Sequence, residues 1–304
     1  MRRLLVSTCL ASIVVVLLAP VSKAAFPGAN GRIVFDTARL FFDGAESSQI
    51  YSVRPDGSDL RQLTNVPEGS SAWQPRVSAD GRTIVFVVST EGQNDQLWLM
   101  RSDGTQERRL AREPAWNQSG AGFTPDGGRI VYSRCGNYLP FYWTCHIVSV
   151  RPDGTGLRTI VGGAWHPSEA VVSPDGATVA YVSDRGGYDA RLWLVDSDGA
   201  DPRTIGPTFG VERLSWAPDG SRIAFTGDFR AGKVYTIAAD GSDLDKVVPR
   251  AIFPAWSPNG RWLVFIGEVG GGLERARTDG SHVSTVVSDD TIPGIGFSDW
   301  GVAP

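Results

Sequence analysis

Twelve of the thirteen Asp-Gly or Asn-Gly dipeptides, all but Asp43-Gly44, fall into two interleaved series of six, and this regularity limits the possible folds of the chain more than any other feature. One series is Asn30-Gly31, Asp80-Gly81, Asp126-Gly127, Asp175-Gly176, Asp219-Gly220 and Asn259-Gly260. The other is Asp56-Gly57, Asp103-Gly104, Asp153-Gly154, Asp198-Gly199, Asp240-Gly241 and Asp279-Gly280. Within each series the spacing is 39 to 50 residues. Asp or Asn followed by Gly between β-forming runs is the strongest short-range hairpin signal, because both residues tolerate positive φ. Each dipeptide is therefore expected to form the two-residue centre of a hairpin, with both residues at positive φ.

The flanking runs repeat as faithfully. After each member of the first series comes a short apolar run whose third residue is aromatic: Phe35, Phe86, Tyr132, Tyr181, Phe225 and Phe265. A second run, such as 50–53 or 192–195, precedes each member of the second series, and another, such as 60–63 or 157–160, follows it. Nothing between these runs has helical period or length. Each unit reads as strand A, turn, strand B, variable loop, strand C, turn, strand D. A four-stranded meander of about 40–45 residues cannot bury both faces alone, so six of them must stack radially into a closed ring. The expected fold is all-β, a six-bladed β-propeller over residues 25–304. The first unit starts at Asn30 with strand B, whereas residues 295–300 resemble a strand A with no unit after them. Trp300 matches Trp216 and Trp256. The C-terminal strand is therefore expected to supply strand A of the first blade and close the ring.

Trp256-Ser257-Pro258-Asn259-Gly260, Ser173-Pro174-Asp175-Gly176 and Ala217-Pro218-Asp219-Gly220 resemble the Trp-Ser-Pro-Asp-Gly signature of the TolB-type propeller repeat. Val182-Ser183-Asp184-Arg185-Gly186-Gly187, followed by Leu192-Trp193-Leu194-Val195-Asp196, is similar to that repeat's second half. The resemblance covers residues 26–304. It implies an extracytoplasmic binding platform that works by protein contacts. Two departures limit it. TolB carries a small α/β domain before its propeller, whereas Phe26 to Asn30 lead directly into the first blade here, so TolB's partner lipoprotein is not carried over. Glu274 also stands where other C strands place an aromatic or apolar residue.

Residues 1–24 read as a secretory signal: Arg2 and Arg3, an apolar run from Leu4 to Leu18, then Pro20 and Ser22-Lys23-Ala24 at the cleavage position. An uncleaved anchor would want about 18–20 apolar residues, and this run is shorter and interrupted by Ser7, Thr8 and Ser12. A periplasmic or extracellular protein is expected, with no membrane span after cleavage. Cleavage removes three basic residues and no acid, leaving 26 bases against 33 acids, net −7. That balance argues against nucleic acid or an anionic membrane as partner, since both call for a basic footprint. Cys135 and Cys145 remain as an even pair in an exported chain, on the facing strands B and C of the third blade, and are expected to form a disulfide.

Catalytic signatures are sparse. The Gly-x-Ser-x-Gly elbow of serine hydrolases is missing from the sequence. Ser78-Ala79-Asp80-Gly81 superficially resembles a sialidase Asp-box, but its counterparts in other units are plain Pro-Asp-Gly hairpins. Three histidines, His146, His166 and His282, lie in three different strand contexts, whereas a metal centre needs three or four convergent ligands. No metal, no cofactor and no catalytic residue is assigned. The loops leading into strand A reach the channel mouth of any propeller, and here they carry Trp73, Trp116, Trp165 and Phe209, accompanied by Glu113, Glu169 and Glu212. Aromatic anchors with a few polar groups suit a peptide or ligand site; the competing reading packs the same tryptophans between blades. The expected function is a monomeric, non-enzymatic binding or scaffold protein with a protein or peptide partner in the cell envelope. The alternative is a glycan-active lyase or hydrolase using acids such as Glu169 and Glu212.

Overall fold

The structure, a computed structural model, describes residues 27–37, 47–111, 113–139, 142–163, 165–185, 189–227, 232–267 and 271–304. The signal read at residues 1–24 lies outside them. Every strand belongs to one of six four-stranded antiparallel sheets, and no helix occurs among the described residues. The innermost strands, A, are Ser70–Val77, Asn117–Phe123, Ser168–Val172, Val211–Trp216, Ala251–Trp256 and Ser298–Val302. Each touches the next around a complete ring. The A–B and C–D turns share one face of the disc, here the turn face, and the B–C and D–A connections share the other, the loop face.

Period-2 alternation explains the stacking. Successive strand residues point to opposite faces of a sheet, and in a propeller both faces are buried against neighbouring blades. Ile33 and Phe35 join a core with Val264, Ile266 and Leu273 of blade 6, while Val34 joins Ile84 and Phe86 of blade 2. The six strand-B aromatics are all buried, between 0 and 1 % exposed. Facing them on strand C stand Tyr51, Trp98, Val148, Trp193, Tyr235 and Glu274. Glu274 thus takes an aromatic's place, and burial pushes its carboxyl up.

Blade 1 is closed by the C-terminal strand. Ile33, Val34 and Phe35 pair with Trp300, Asp299 and Ser298, and Trp300 is buried. Asn30-Gly31 departs from the turn expectation. It lies in strand B of this blade, with Asn30 paired to Val302, and a Cβ on Gly31 would overlap the Val302 carbonyl.

The turns differ from expectation in conformation. Only the glycines adopt positive φ; the preceding Asp residues do not. In the C–D turn of blade 1, Gly57 N–H donates to Arg54 C=O (2.9 Å) and Arg54 N–H to Ser58 C=O (3.0 Å). This is a three-residue loop, a type I turn followed by a left-handed residue. The A–B turns hold four residues, as where Ser78 and Thr83 close the loop. The Asp serves through its carboxylate instead: Asp80 accepts from Ser78 Oγ at 2.6 Å and from Arg82 N–H at 3.0 Å.

Blade 3 departs at its hairpin. Strands B and C run on past the cysteines, as Ile130–Leu139 and Tyr142–Val150, so the disulfide crosses a long ribbon rather than the base of a loop. Cys135 and Cys145 are direct cross-strand partners, bonded, with Cα atoms 4.1 Å apart.

Candidate functional site

The narrowest level of the channel is built from a β-bulge repeated in strand A. In blades 2 to 6 the ladder slips at one place, and the bulged residue is Gln74, Gly120, Glu169, Arg213 or Phe253, all at φ between 51 and 59°. Four of these five are not glycine, although left-handed backbone costs such residues about 1–3 kcal/mol. The sixth blade-equivalent position is Phe297, three residues before Trp300 as Phe253 is before Trp256.

The bulge N–H groups are each caught by a side chain from a neighbouring blade. Asp36 accepts from Gln74 (2.7 Å), Ser133 from Glu169 (3.1 Å) and Thr226 from Phe253 (2.8 Å), all from strand B of the blade before. Where that strand-B position is apolar, Val87 or Val182, the preceding bulge residue substitutes. Gln74 Oε1 accepts from Gly120 (2.9 Å), and Glu169 Oε2 accepts from Arg213. Ile266 is likewise apolar, and the second oxygen of Asp36 accepts from Phe297 N–H at 3.0 Å.

Arg213 fills the axis. Its guanidinium lies 3.7 Å from the Phe297 ring centroid and 5.3 Å from that of Phe253, and pairs with Glu169 at 3.3 Å. The side chain is 17 % exposed, and burial pulls its pKa below the ordinary arginine value while Glu169 opposes the shift. Glu212, one residue earlier, has its carboxyl pushed up by burial and by the Glu169 charge, partly offset by Arg213. Arg76 pairs with Asp299 at 3.4 Å on the turn side. The cavity left beside Gln74, Glu169, Arg213 and Phe297 is about 20 Å³, above the roughly 10–15 Å³ that a single water needs and far below the size of a ligand site. The channel is plugged there.

The residues picked from sequence fall into separate groups. Trp73 lies within strand A rather than in the loop before it; its Nε1 donates to Ser89 Oγ (2.8 Å) and its ring meets Phe297 at 6.0 Å. Trp73 and Glu169 thus join through Phe297 and Arg213. Glu113 and Trp116 form a second group around Arg134, whose guanidinium covers the Trp116 ring at 4.1 Å and reaches Glu113 at 3.5 Å. Glu113 also accepts from Gln118 Nε2 (2.8 Å) and the Tyr132 hydroxyl (3.1 Å). Burial and Glu113 raise the Tyr132 pKa, and burial, then Arg134, lowers that of His146, which meets Trp116 edge-on. Phe209 packs on Tyr235 at 5.2 Å. Trp165 differs from all of these: it is 53 % exposed, while its backbone C=O accepts from Ser183 Oγ and the adjacent His166 pairs with Asp184 at 2.8 Å.

Arg213, Phe253, Phe297, Gln74 and Asp36 were missed in the sequence. The signal lay in the repeat register: the bulge sits three residues before the last apolar residue of each strand A. Among the described residues no three His, Cys, Asp or Glu side chains converge as a metal site would require.

No family model matches the chain. An uncharacterized protein of Agrobacterium fabrum is 30 % identical over 203 residues, covering 60 % of this chain and 62 % of that protein. A TolB homolog of Chlorobium luteolum is 30 % identical over 167 residues, 55 % of this chain and 34 % of its own length. The match therefore spans less than two thirds of either curated relative. Among solved structures, TolB from Acinetobacter baumannii superposes with a TM-score of 0.76 at 19 % identity, over 92 % of this chain and 68 % of that one. An oligogalacturonate lyase in complex with manganese superposes at 0.58 and 17 % identity, over 89 % and 78 %.

Proposed function

Since the chain is a TolB-like β-propeller, we propose that it is an exported, non-enzymatic binding module that captures a protein or peptide of the cell envelope on its loop face. The observation that carries this reading is Trp165, a large aromatic left 53 % exposed on a backbone fixed by Ser183 and the His166–Asp184 pair. Exposed, preordered aromatics are the residues that most often dominate binding energy, because little ordering entropy is lost on contact. The half-buried Trp116, roofed by Arg134, and the stapled ribbon of blade 3 extend the same face. The disulfide accords with an oxidising compartment outside the cytoplasm, and we take the protein to be a monomer.

The test is co-purification from the native envelope with parent and variant chains. Trp165→Ala abolishes capture of the partner and leaves the thermal midpoint unchanged. Trp116→Ala, which uncovers Arg134 and loosens the packing above Gly136, also lowers the midpoint. Capture that survives Trp165→Ala rejects the loop-face assignment.

A second reading, a glycan-active enzyme, draws on Glu212. Its raised carboxyl beside Glu169 has the character of a general acid, and the oligogalacturonate lyase shares the fold. Release of unsaturated products from polyuronates, with manganese and again with a chelator, would establish it; no turnover in either condition removes it.

A further inference from the structure

Two blades carry the same arginine triad, and only one of them carries the carboxylate that neutralises it. In blade 1, Arg32, Arg54 and Arg61 converge on Asp59, at 2.8, 3.5 and 2.8 Å. In blade 3 the repeat places Arg129, Arg151 and Arg158 at the matching positions, with Gly156 where Asp59 stands. The correspondence extends to hydrogen bonds. Arg32 donates to Ser52 Oγ (3.0 Å), Ser52 C=O (3.1 Å) and the Asp59 carbonyl. Arg129 donates to Ser149 Oγ (2.9 Å), Ser149 C=O (2.9 Å) and the Gly156 carbonyl. Asp59 and Gly156 share a left-handed backbone, at φ 55 and 67°. What differs is the missing carboxylate.

No other blade has this combination. In blade 5, Arg222 occupies the Arg32 position but reaches Asp245 at 2.7 Å, and Ala238 replaces the second arginine. Among the described residues of blade 3, Arg151 donates a hydrogen bond only to Thr155 Oγ1, at 3.3 Å, with the turn carboxylate of Asp153 near it, and Arg158 has no acceptor. The Arg151 guanidinium instead lies over Gly156, where a Cβ would come within 2.9 Å of Nη1. Burial, followed by the charges of Arg158 and Arg151, lowers the Arg129 pKa, with Asp126 opposing. The nearby acids are already engaged in their turns. Asp126 accepts from Thr124 Oγ1 and Gly128 N–H, Asp175 from Ser173 Oγ and Ala177 N–H, and Asp153 from Thr155. Arg129 and Arg158 open into a turn-face cleft of about 610 Å³ between blades 3 and 4, which Ser149, Ser197 and Val179 also line.

We propose that Arg129, Arg151 and Arg158 form a binding site for an oxyanion, the phosphate or carboxylate group of a ligand from outside the chain. The ligand's oxygens take the place of the Asp59 carboxylate, with the planar guanidinium forks meeting them as they meet Asp59 in blade 1. The rest of the ligand lies along the cleft toward Asp175 and Ser197. This site is on the opposite face from Trp165 and stands independently of the partner proposed there.

The test is calorimetry on the full chain at constant low ionic strength, since exposed charges are screened by salt. The probes are inorganic phosphate and N-acetylaspartate amide, and the one that saturates identifies the oxyanion. One molecule binds per chain. Gly156→Asp supplies an internal carboxylate on a backbone that Asp59 already adopts, so it weakens binding at least tenfold; the left-handed backbone lowers the thermal midpoint slightly, and the chain stays folded. Arg158→Gln, an exposed change, gives a comparable loss. Asp59→Gly opens the blade 1 triad and raises the stoichiometry from one to two. The proposal is overturned if neither probe saturates, if Gly156→Asp binds as well as the parent, or if Asp59→Gly leaves the stoichiometry at one.

Discussion

Replacing Asp36 with alanine tests how the ring is held together. The Asp36 carboxylate is fully buried and accepts two backbone N–H groups, from Gln74 in blade 2 and Phe297 in blade 1. The Phe297 bond crosses the closure between the N- and C-terminal strands of blade 1, and the Gln74 bond ties that blade to blade 2, so one side chain holds both joints. Alanine leaves both N–H groups without that acceptor. A buried donor left unsatisfied costs about 1–3 kcal/mol, which gives roughly 2–6 kcal/mol for the pair. Relief of the carboxylate's own desolvation moves the result toward the lower end. Ser133→Ala and Thr226→Val remove the matching acceptor at single sites, those of Glu169 and Phe253, and each should cost about 1–3 kcal/mol. Urea unfolding of the three variants, read as midpoint shifts at constant m-value, makes the comparison. The expected order is Asp36→Ala well below the other two, with Asp36→Asn between, since its one remaining oxygen keeps one acceptor. If Asp36→Ala loses no more than Ser133→Ala, the double bridge contributes nothing and the account of the two joints is wrong.

Deleting residues 295–304 removes strand A of blade 1, including the buried Trp300; loss of a buried Trp side chain alone costs about 3–5 kcal/mol, so the truncated chain should be insoluble or unfold without cooperativity, and a monomer with unchanged thermal midpoint would refute the latch. Thiol counting on the denatured, unreduced protein should find neither Cys135 nor Cys145 free, and Cys135→Ser should lower stability by about 2–3 kcal/mol; two free thiols would be decisive against the bridge. Glu212 has a raised carboxyl in the folded state, so the folded chain binds its proton more tightly than the unfolded one and stability falls as pH rises from the unfolded value, about 4.3, through the folded one. Glu212→Gln should therefore gain stability over the parent near pH 7 and match it below pH 4, as seen in thermal midpoints across that range; a constant difference at all pH values would contradict this.

The blade count, the strand order and the closing strand were all legible in the sequence, because a turn glycine at positive φ recurs twice in each of blades 2 to 6 and a buried strand-B aromatic once in every blade. The conformation of the turns was not. Asp-Gly suits both the two-residue hairpin and the type I turn with a following left-handed glycine, and only the hydrogen-bond closure, Arg54 to Ser58, separates them. The channel plug was hidden for another reason. Gln74, Gly120, Glu169, Arg213 and Phe253 share a backbone conformation but no chemistry, so a search for like residues passes over them. The picked aromatics Trp73 and Phe209 are packed rather than displayed, since the alternation of strand faces cannot say how far a neighbouring ring reaches.

Asn30 pairs with Val302 in the one blade whose strands A and B are not joined by a turn. Ala303 N–H already donates to Ala29 C=O at 2.9 Å, across the place where other blades have a four-residue A–B turn. In a chain cut to begin at Gly28, a peptide linker of about that length from Pro304 would make the molecule a true circle, and the circle could then be reopened at another exposed turn, such as Asp126-Gly127. Such permutants would show whether folding depends on which blade is stitched last or only on the ring being complete.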